Sequence, residues 1–127
     1  MLTPDPYPKI KNAIVKVIAA NVEPLGFRQL KKSTYFLRDR HDIRDIFFFQ
    51  KMRSNAIAFA YGVLAVPTDD SWTPGIPNAQ WLRWQECYRC KYVEQVHDSI
   101  SRAMRDFVTE AIPWFEQFQT VADLPKS

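Results

Sequence analysis

The residues best suited to chemistry in this sequence are two cysteines three positions apart, Cys87 and Cys90. Two thiolates at this spacing can form half of a tetrahedral zinc site, and His41 and His97 would have to complete it. The residues around them alternate between apolar and polar side chains, which predicts a strand over 81–93. Successive side chains of a strand point to opposite faces, so the two thiols would lie on opposite sides of the sheet. We therefore predict no metal and no cofactor, with Cys90 in the core and Cys87 a surface thiol.

A redox or nucleophilic role for the cysteines has little further support in the sequence. A reactive dithiol lies at the N-terminus of a helix, where its pKa is lowered, whereas this pair lies inside a predicted strand. A nucleophilic pair of Cys87 and His97 lacks an evident orienting residue and an oxyanion loop. The three glycines, Gly26, Gly62 and Gly75, are too scattered to hold a phosphate group. The sequence predicts no catalytic residues and hence a protein that is not an enzyme.

The length and composition are those of one globular domain spanning residues 1–127. Hydrophobic residues make up 46% of the chain and charged residues 24%, which is typical of a folded domain rather than a disordered one. No apolar run reaches the roughly 18 residues needed to span a bilayer. The first 20 residues lack the layout of a signal peptide, because Lys16 interrupts their apolar part. We expect a cytoplasmic protein that does not bind membranes.

The elements that would position any site follow from the apolar periodicity. Residues 8–22 show the spacing of an amphipathic helix, and 93–111 show it again. A second helical piece is expected to start at Pro113, and 120–123 resembles a capping box. Between the helices, short polar turns separate strand patterns at 27–30, 34–38, 43–52, 57–66 and 81–93. This order predicts a two-layer α+β fold: an antiparallel sheet of four or more strands with the N- and C-terminal helices packed on one face.

The strand predicted at 57–66 has large side chains on one face and small side chains on the other. Ile57, Phe59 and Tyr61 point one way, whereas Ala58 and Ala60 point the other way. Such a pattern is typical of a central strand that is covered on both sides. Because small residues allow close approach, we expect a helix to lie on the face that carries Ala56, Ala58 and Ala60. This stretch is interpreted as core rather than as a site of chemistry.

Several stretches of core and turn residues follow a family pattern. They are 23–27 (EPLGF), 33–38 (STYFLR), 46–51 (IFFFQK), 59–63 (FAYGV) and 112–115 (IPWF). Together they resemble the bacterial family known as domain of unknown function 4304, over most of the chain. Tyr61 stands where that family tends to have Asn, and the cysteine pair is not a feature expected of it. The resemblance implies an α+β fold in a small bacterial or phage protein, and it implies no established activity. Some small bacterial domains of this general build neutralise toxins, which is an analogy of fold alone.

The charge distribution suggests a nucleic-acid-binding alternative. Between Arg28 and Arg53 there are eight Lys or Arg residues against three Asp. Basic turns beside an aromatic sheet can bind single-stranded nucleic acid, and Arg38, Arg40 and Arg44 would be the contacts together with Arg53. The intervening aspartates weaken this positive field, so we keep single-stranded nucleic acid as the second choice of partner.

A protein partner is the favoured interpretation. The proline-rich stretch from 67 to 84 carries three of the four tryptophans, Trp72, Trp81 and Trp84. Trp and Arg dominate the binding energy of protein interfaces, and Trp72 and Arg83 are not easily placed in a core. The predicted partner-binding residues are Trp72, Trp81, Arg83, Arg40 and Arg44. We expect a non-enzymatic protein-binding module, with immunity-like neutralisation of a toxin as one form of that function.

Overall fold

A computed structural model of the protein describes residues 5–67, 78–83 and 88–125. Within these residues, one α-helix precedes and another follows an antiparallel β-meander. In chain order the elements are α1 (Tyr7–Val22), β1 (Arg28–Gln29), β2 (Tyr35–Arg40), β3 (Ile43–Lys51), β4 (Ala56–Ala65), β5 (Gln80–Trp81), β6 (Tyr88–Arg89) and α2 (Val93–Glu116). Among the described residues, no helix has the length and apolar content that crossing a bilayer requires.

Helix α1 forms where the sequence predicts it. Its buried residues, Ile10, Ile14, Ile18 and Val22, recur every four positions and form one apolar stripe. A proline in the first turn suits the helix start, because the N–H that it lacks would have no partner there. The chain leaves the helix through Gly26, which adopts a left-handed φ of 97° that glycine tolerates best.

The strands form one antiparallel sheet in the order β1-β2-β3-β4, and both β5 and β6 pair with the far edge of β4. The turn between β2 and β3 consists of His41 and Asp42, so Arg40 pairs with Ile43. This tight turn sets the register of the whole hairpin. The predicted α+β class, with helices before and after an antiparallel sheet, is confirmed.

The helices cover a different face of β4 from the one we predicted. Ile57, Phe59 and Tyr61 belong to the core that includes the buried residues of α1 and α2. Ala58 and Ala60 alternate with these residues and therefore point away from both helices. The prediction that a helix lies on Ala56, Ala58 and Ala60 is wrong. The large side chains are the ones that fill the space between sheet and helices, as shown by the Phe47 and Phe107 rings 4.5 Å apart.

Two further boundaries differ from the prediction. Helix α2 continues through Pro113 to Glu116, so no second helix starts at Pro113. Instead of one long strand over 81–93, the described residues show only the short strands β5 and β6, and α2 begins at Val93. The capping box predicted at 120–123 is confirmed: the side chains of Thr120 and Asp123 bond each other's backbone around a short 3₁₀ turn.

Candidate interaction surface

A buried carboxylate organises the arginines of the β2–β3 hairpin. The side chain of Asp45 is fully buried and lies on the helix-covered face of the sheet. Arg38 Nε donates to Asp45 Oδ2 at 2.8 Å, and Arg40 donates to both carboxylate oxygens at 2.7 and 2.9 Å. Charge-assisted hydrogen bonds of this kind are the strong ones. The two arginines therefore satisfy an internal acid rather than standing free for a partner.

The same arginines also tie the sheet to the helical layer. Arg40 Nη2 donates to the carbonyl oxygen of Phe115 in α2 at 3.1 Å, and Arg38 Nη1 donates to the carbonyl oxygen of Leu25 at 3.3 Å. The guanidinium of Arg38 also lies 4.8 Å from the centre of the Phe27 ring. Arg40, predicted to bind a partner, is thus placed in a contact that holds β2 against α2.

On the other face of the hairpin, Arg44 forms a second ion pair. Its Nε and Nη2 donate to the two carboxylate oxygens of Asp39 at 2.7 and 3.0 Å. Arg28 approaches the same carboxylate at 3.9 Å. The hydrogen bonds from Arg44 lower the pKa of Asp39 from its ordinary value of 3.8. Arg44 therefore lies on the face that neither helix covers, with its charge largely balanced.

That helix-free face of the sheet carries a group of half-exposed apolar side chains. Trp81 pairs with Ala60 and so points to this face. Tyr35 and Phe48 are cross-strand neighbours whose rings stack 4.8 Å apart at 23°. Leu37, Ile46 and Ala60 lie on the same face but are almost fully buried. Among the described residues, the accessible apolar atoms of this face therefore belong to Tyr35, Phe48, Ala58, Leu64 and Trp81, which we name the aromatic face.

Arg83, another predicted partner residue, lies beside α2 instead of on the aromatic face. Its Nη1 donates to Glu110 at 3.2 Å, and its Nε lies 4.0 Å from Asp106. Asp106 also accepts a hydrogen bond of 2.7 Å from the hydroxyl of the buried Tyr88. Arg83 itself adopts a left-handed φ of 47°, which is uncommon for a residue other than glycine. Trp72, the remaining predicted partner residue, lies outside the described residues, as does Trp84.

Cys90 is a core residue, as predicted. Its side chain is 3% exposed, and burial raises the pKa of the thiol to about 11. It lines a small pocket of about 110 Å³ between the start of α1 and the β3–β4 turn, together with Asp5, Tyr7, Ile10, Lys51, Asn55 and Ile57. A thiol with a raised pKa is a poor nucleophile at neutral pH. Cys87 lies outside the described residues.

The positions of the possible metal ligands are relevant to the zinc site considered from the sequence. Within them, no three His, Cys, Asp or Glu side chains converge in the way a metal ion requires. His97 is 82% exposed on α2, and His41 is exposed in the β2–β3 turn. Neither histidine lines the pocket in which the Cys90 thiol lies.

Sequence reasoning did not select Tyr35 and Phe48 as site residues, although a signal for both was present. In the run IFFFQ, strand alternation places Phe48 opposite in direction to Phe47 and Phe49. With Phe47 and Phe49 in the core, Phe48 must point to the other face, and the hairpin register then places it beside Tyr35. Comparison of the chain with protein-family models, with curated proteins and with solved structures finds no match.

Proposed function

We propose that this protein is a non-enzymatic, cytoplasmic protein-binding module that contacts its partner through the aromatic face of the sheet. The observation that carries the proposal is the grouping of Tyr35, Phe48 and Trp81 on a face that neither helix covers. Immunity-like neutralisation of a toxin is one form of this function. Membership of the domain of unknown function 4304 family is part of the same proposal.

The composition of the aromatic face supports a protein partner. Tyr and Trp are enriched in the centres of protein interfaces, because they combine large apolar area with little side-chain entropy. The ion pair of Arg44 with Asp39 lies at the edge of this face, as polar groups do in the rim of an interface. Small residues in the middle of β4, such as Ala58, leave room for a partner's side chains.

The internal ion pairs of the arginines favour a protein partner over a nucleic acid. Arg38 and Arg40 are bound to Asp45, and Arg44 is bound to Asp39. Binding to phosphates depends on cations that can release counterions, which arginines held by internal carboxylates do poorly. Three of the four arginines on which the nucleic-acid alternative depends thus have internal partners.

The proposal is tested by photocrosslinking in cells of the native host. A benzoylphenylalanine in place of Phe48 reports on the aromatic face, and the same group in place of Val108, 46% exposed on α2, serves as the matched control. We expect a specific protein adduct from position 48 that is missing from position 108. The crosslinked protein is then purified, and its affinity is measured for the wild type and for Trp81→Ala.

A central aromatic anchor typically contributes about 2 kcal/mol or more to binding, so Trp81→Ala should weaken the complex at least about 30-fold. Circular dichroism and thermal unfolding of the variant establish that the fold is retained. Identical adducts from positions 48 and 108, or an affinity that Trp81→Ala does not change, contradict the proposal.

A further inference from the structure

One end of the sheet differs from the rest of the molecule in its charges. The β1–β2 turn and the β3–β4 turn meet there, because Tyr35 pairs with Phe48 and the N–H of Phe49 donates to the carbonyl oxygen of Thr34. Arg89 reaches the same end by pairing with Ala56 at the start of β4. The cationic side chains of this basic end are Lys31, Lys32, Lys51, Arg53 and Arg89, all of them exposed.

The cations of the basic end form no ion pair within the part of the chain that the structure describes. The arginines of the β2–β3 hairpin, by contrast, are all paired. Of the described carboxylates, Asp5 accepts a hydrogen bond from the backbone N–H of Val93 at 2.8 Å, and Glu94 and Asp98 lie in the first two turns of α2. Among the described residues, the basic end is therefore a surface of positive charge without paired carboxylates.

From this asymmetry we infer that the partner of the aromatic face is an acidic protein, whose carboxylates dock on the basic end. The inference rests on the proposed function. Phe48 and Arg89 both lie on the helix-free face of the sheet, within the strands that reach this end. One partner surface can thus cover the aromatic side chains and reach the cations. Complementary charge of this kind speeds association and selects the partner.

The chemistry of the basic end favours carboxylates over a nucleic acid strand. Binding of a single strand without sequence preference uses open aromatic faces on which successive bases stack. Tyr35 and Phe48, which pair across β2 and β3 toward this end, already stack on each other. The ring of Tyr92 faces the Nζ of Lys91 at 5.6 Å. The cations of the basic end lie on three separate segments of the chain, which suits scattered carboxylates, and each lysine forms a point contact.

The inference is tested with two anionic probes, fluorescein-labelled poly-L-glutamate and an oligothymidylate of twenty nucleotides, by fluorescence anisotropy at low salt. The test variant is Lys51→Gln with Arg53→Gln. The matched control is Lys16→Gln with Arg105→Gln, which removes the same charge from exposed positions on α1 and α2. We expect tighter binding of poly-L-glutamate than of the oligonucleotide, and a loss of roughly three- to tenfold in the test variant but less than twofold in the control.

Two results overturn the inference. Equal losses in the test and control variants mean that net charge alone attracts the probe. Tighter binding of the oligothymidylate, weakened by Tyr35→Ala, means that the basic end serves single-stranded nucleic acid. Neither result involves Trp81, so the proposed protein-binding function stands or fails separately, on the crosslinking at position 48 and the Trp81→Ala affinity.

Discussion

Asn78 uses both ends of its side-chain amide to bond the backbone of Val63. The N–H of Val63 donates to Asn78 Oδ1 at 3.0 Å, and Asn78 Nδ2 donates to the carbonyl oxygen of Val63 at 2.8 Å. These are the two bonds that another strand would form with the edge of β4. A side chain thus takes the place of a strand just beyond the short pairing of β4 with β5. Unpaired edges invite association with other chains, so Asn78 protects the sheet as well as stabilising it.

Replacing Asn78 by Ala should therefore have two effects. Loss of two partly buried hydrogen bonds should lower the free energy of unfolding by about 1–3 kcal/mol. The exposed edge of β4 should also increase self-association, measured by light scattering at rising protein concentration. Asn12→Ala, at an exposed position on α1, is the control and should neither lower the free energy of unfolding nor increase self-association. An Asn78→Ala protein that matches the wild type in both measurements contradicts this role.

The buried Asp45 gives a second prediction. Asp45→Ala leaves Arg38 and Arg40 without their carboxylate inside a partly buried site, so we expect a loss of about 3–5 kcal/mol in the free energy of unfolding. Asp42→Ala, exposed in the adjacent turn, should cost far less. Arg40→Ala should also destabilise the fold, because Arg40 bonds the Phe115 carbonyl of α2. Denaturant unfolding of the three variants measures these differences, and an Arg40→Ala protein of wild-type stability contradicts the interpretation.

Much of the fold could be predicted because the local patterns were consistent. The four-residue spacing in α1 and the polar turns between strands indicate the element order without reference to tertiary structure. The pairing of Arg38 with Asp45 and of Asp39 with Arg44 could also have been predicted from the sequence. A turn of two residues between Arg40 and Ile43 places both pairs in register.

The choice of face on β4 could not be read from the sequence alone, since both of its faces are uncharged. Packing determines which face is buried. Phe59 and Tyr61 fill the space between the sheet and α2, and the ring of Tyr61 lies 5.8 Å from the ring of Phe115. The same contacts explain the path of α2 through Pro113. Continuing a helix through proline costs roughly 3 kcal/mol, and the complete burial of Phe115 offsets that cost.

The raised pKa of Cys90 predicts slow thiol chemistry. With its pKa at about 11 rather than the ordinary 9.0, the thiolate fraction at pH 8 falls roughly 100-fold. In a Cys87→Ser background, iodoacetamide should therefore alkylate Cys90 at least 100-fold more slowly in the folded protein than in urea. Mass spectrometry over time measures both rates. Equal rates mean that the thiol is accessible and ionised in the folded state.

The same shift gives a dependence of stability on pH. Because the folded pKa of Cys90 lies above its unfolded value, the stabilisation is fully present below pH 9 and is lost as the pH rises through about 11. Cys90→Ala should remove this contribution, so the wild type and the variant should converge in stability at alkaline pH. A stability difference that stays constant from pH 8 to pH 11 contradicts the assignment.

Asp39 should produce the opposite dependence at acid pH. Its folded pKa is lowered, chiefly by the hydrogen bonds from Arg44, so its contribution is present above the ordinary value of 3.8. That contribution is lost as the pH falls through the lower, folded pKa. The difference in unfolding free energy between the wild type and Asp39→Asn should therefore shrink as the pH falls below about 4. Arg44→Gln removes the cause and should abolish the acid-dependent part of the difference.

The position of the helices gives a prediction that separates the two faces of β4. Ala58→Leu adds volume on the helix-free face at a half-exposed position, so it should change the free energy of unfolding by less than about 1 kcal/mol. Phe59→Ala, one residue along, empties a fully buried site beneath the helices and should cost about 3–5 kcal/mol. Had a helix covered Ala58, the added methyl groups would overpack the core and the leucine variant would lose about 1–3 kcal/mol. Urea unfolding of the two single variants measures both costs.

Ala58 also belongs to the aromatic face. Ala58→Leu should therefore lower the affinity for the crosslinked partner while it leaves the fold intact. An unchanged affinity would mean that the partner binds elsewhere.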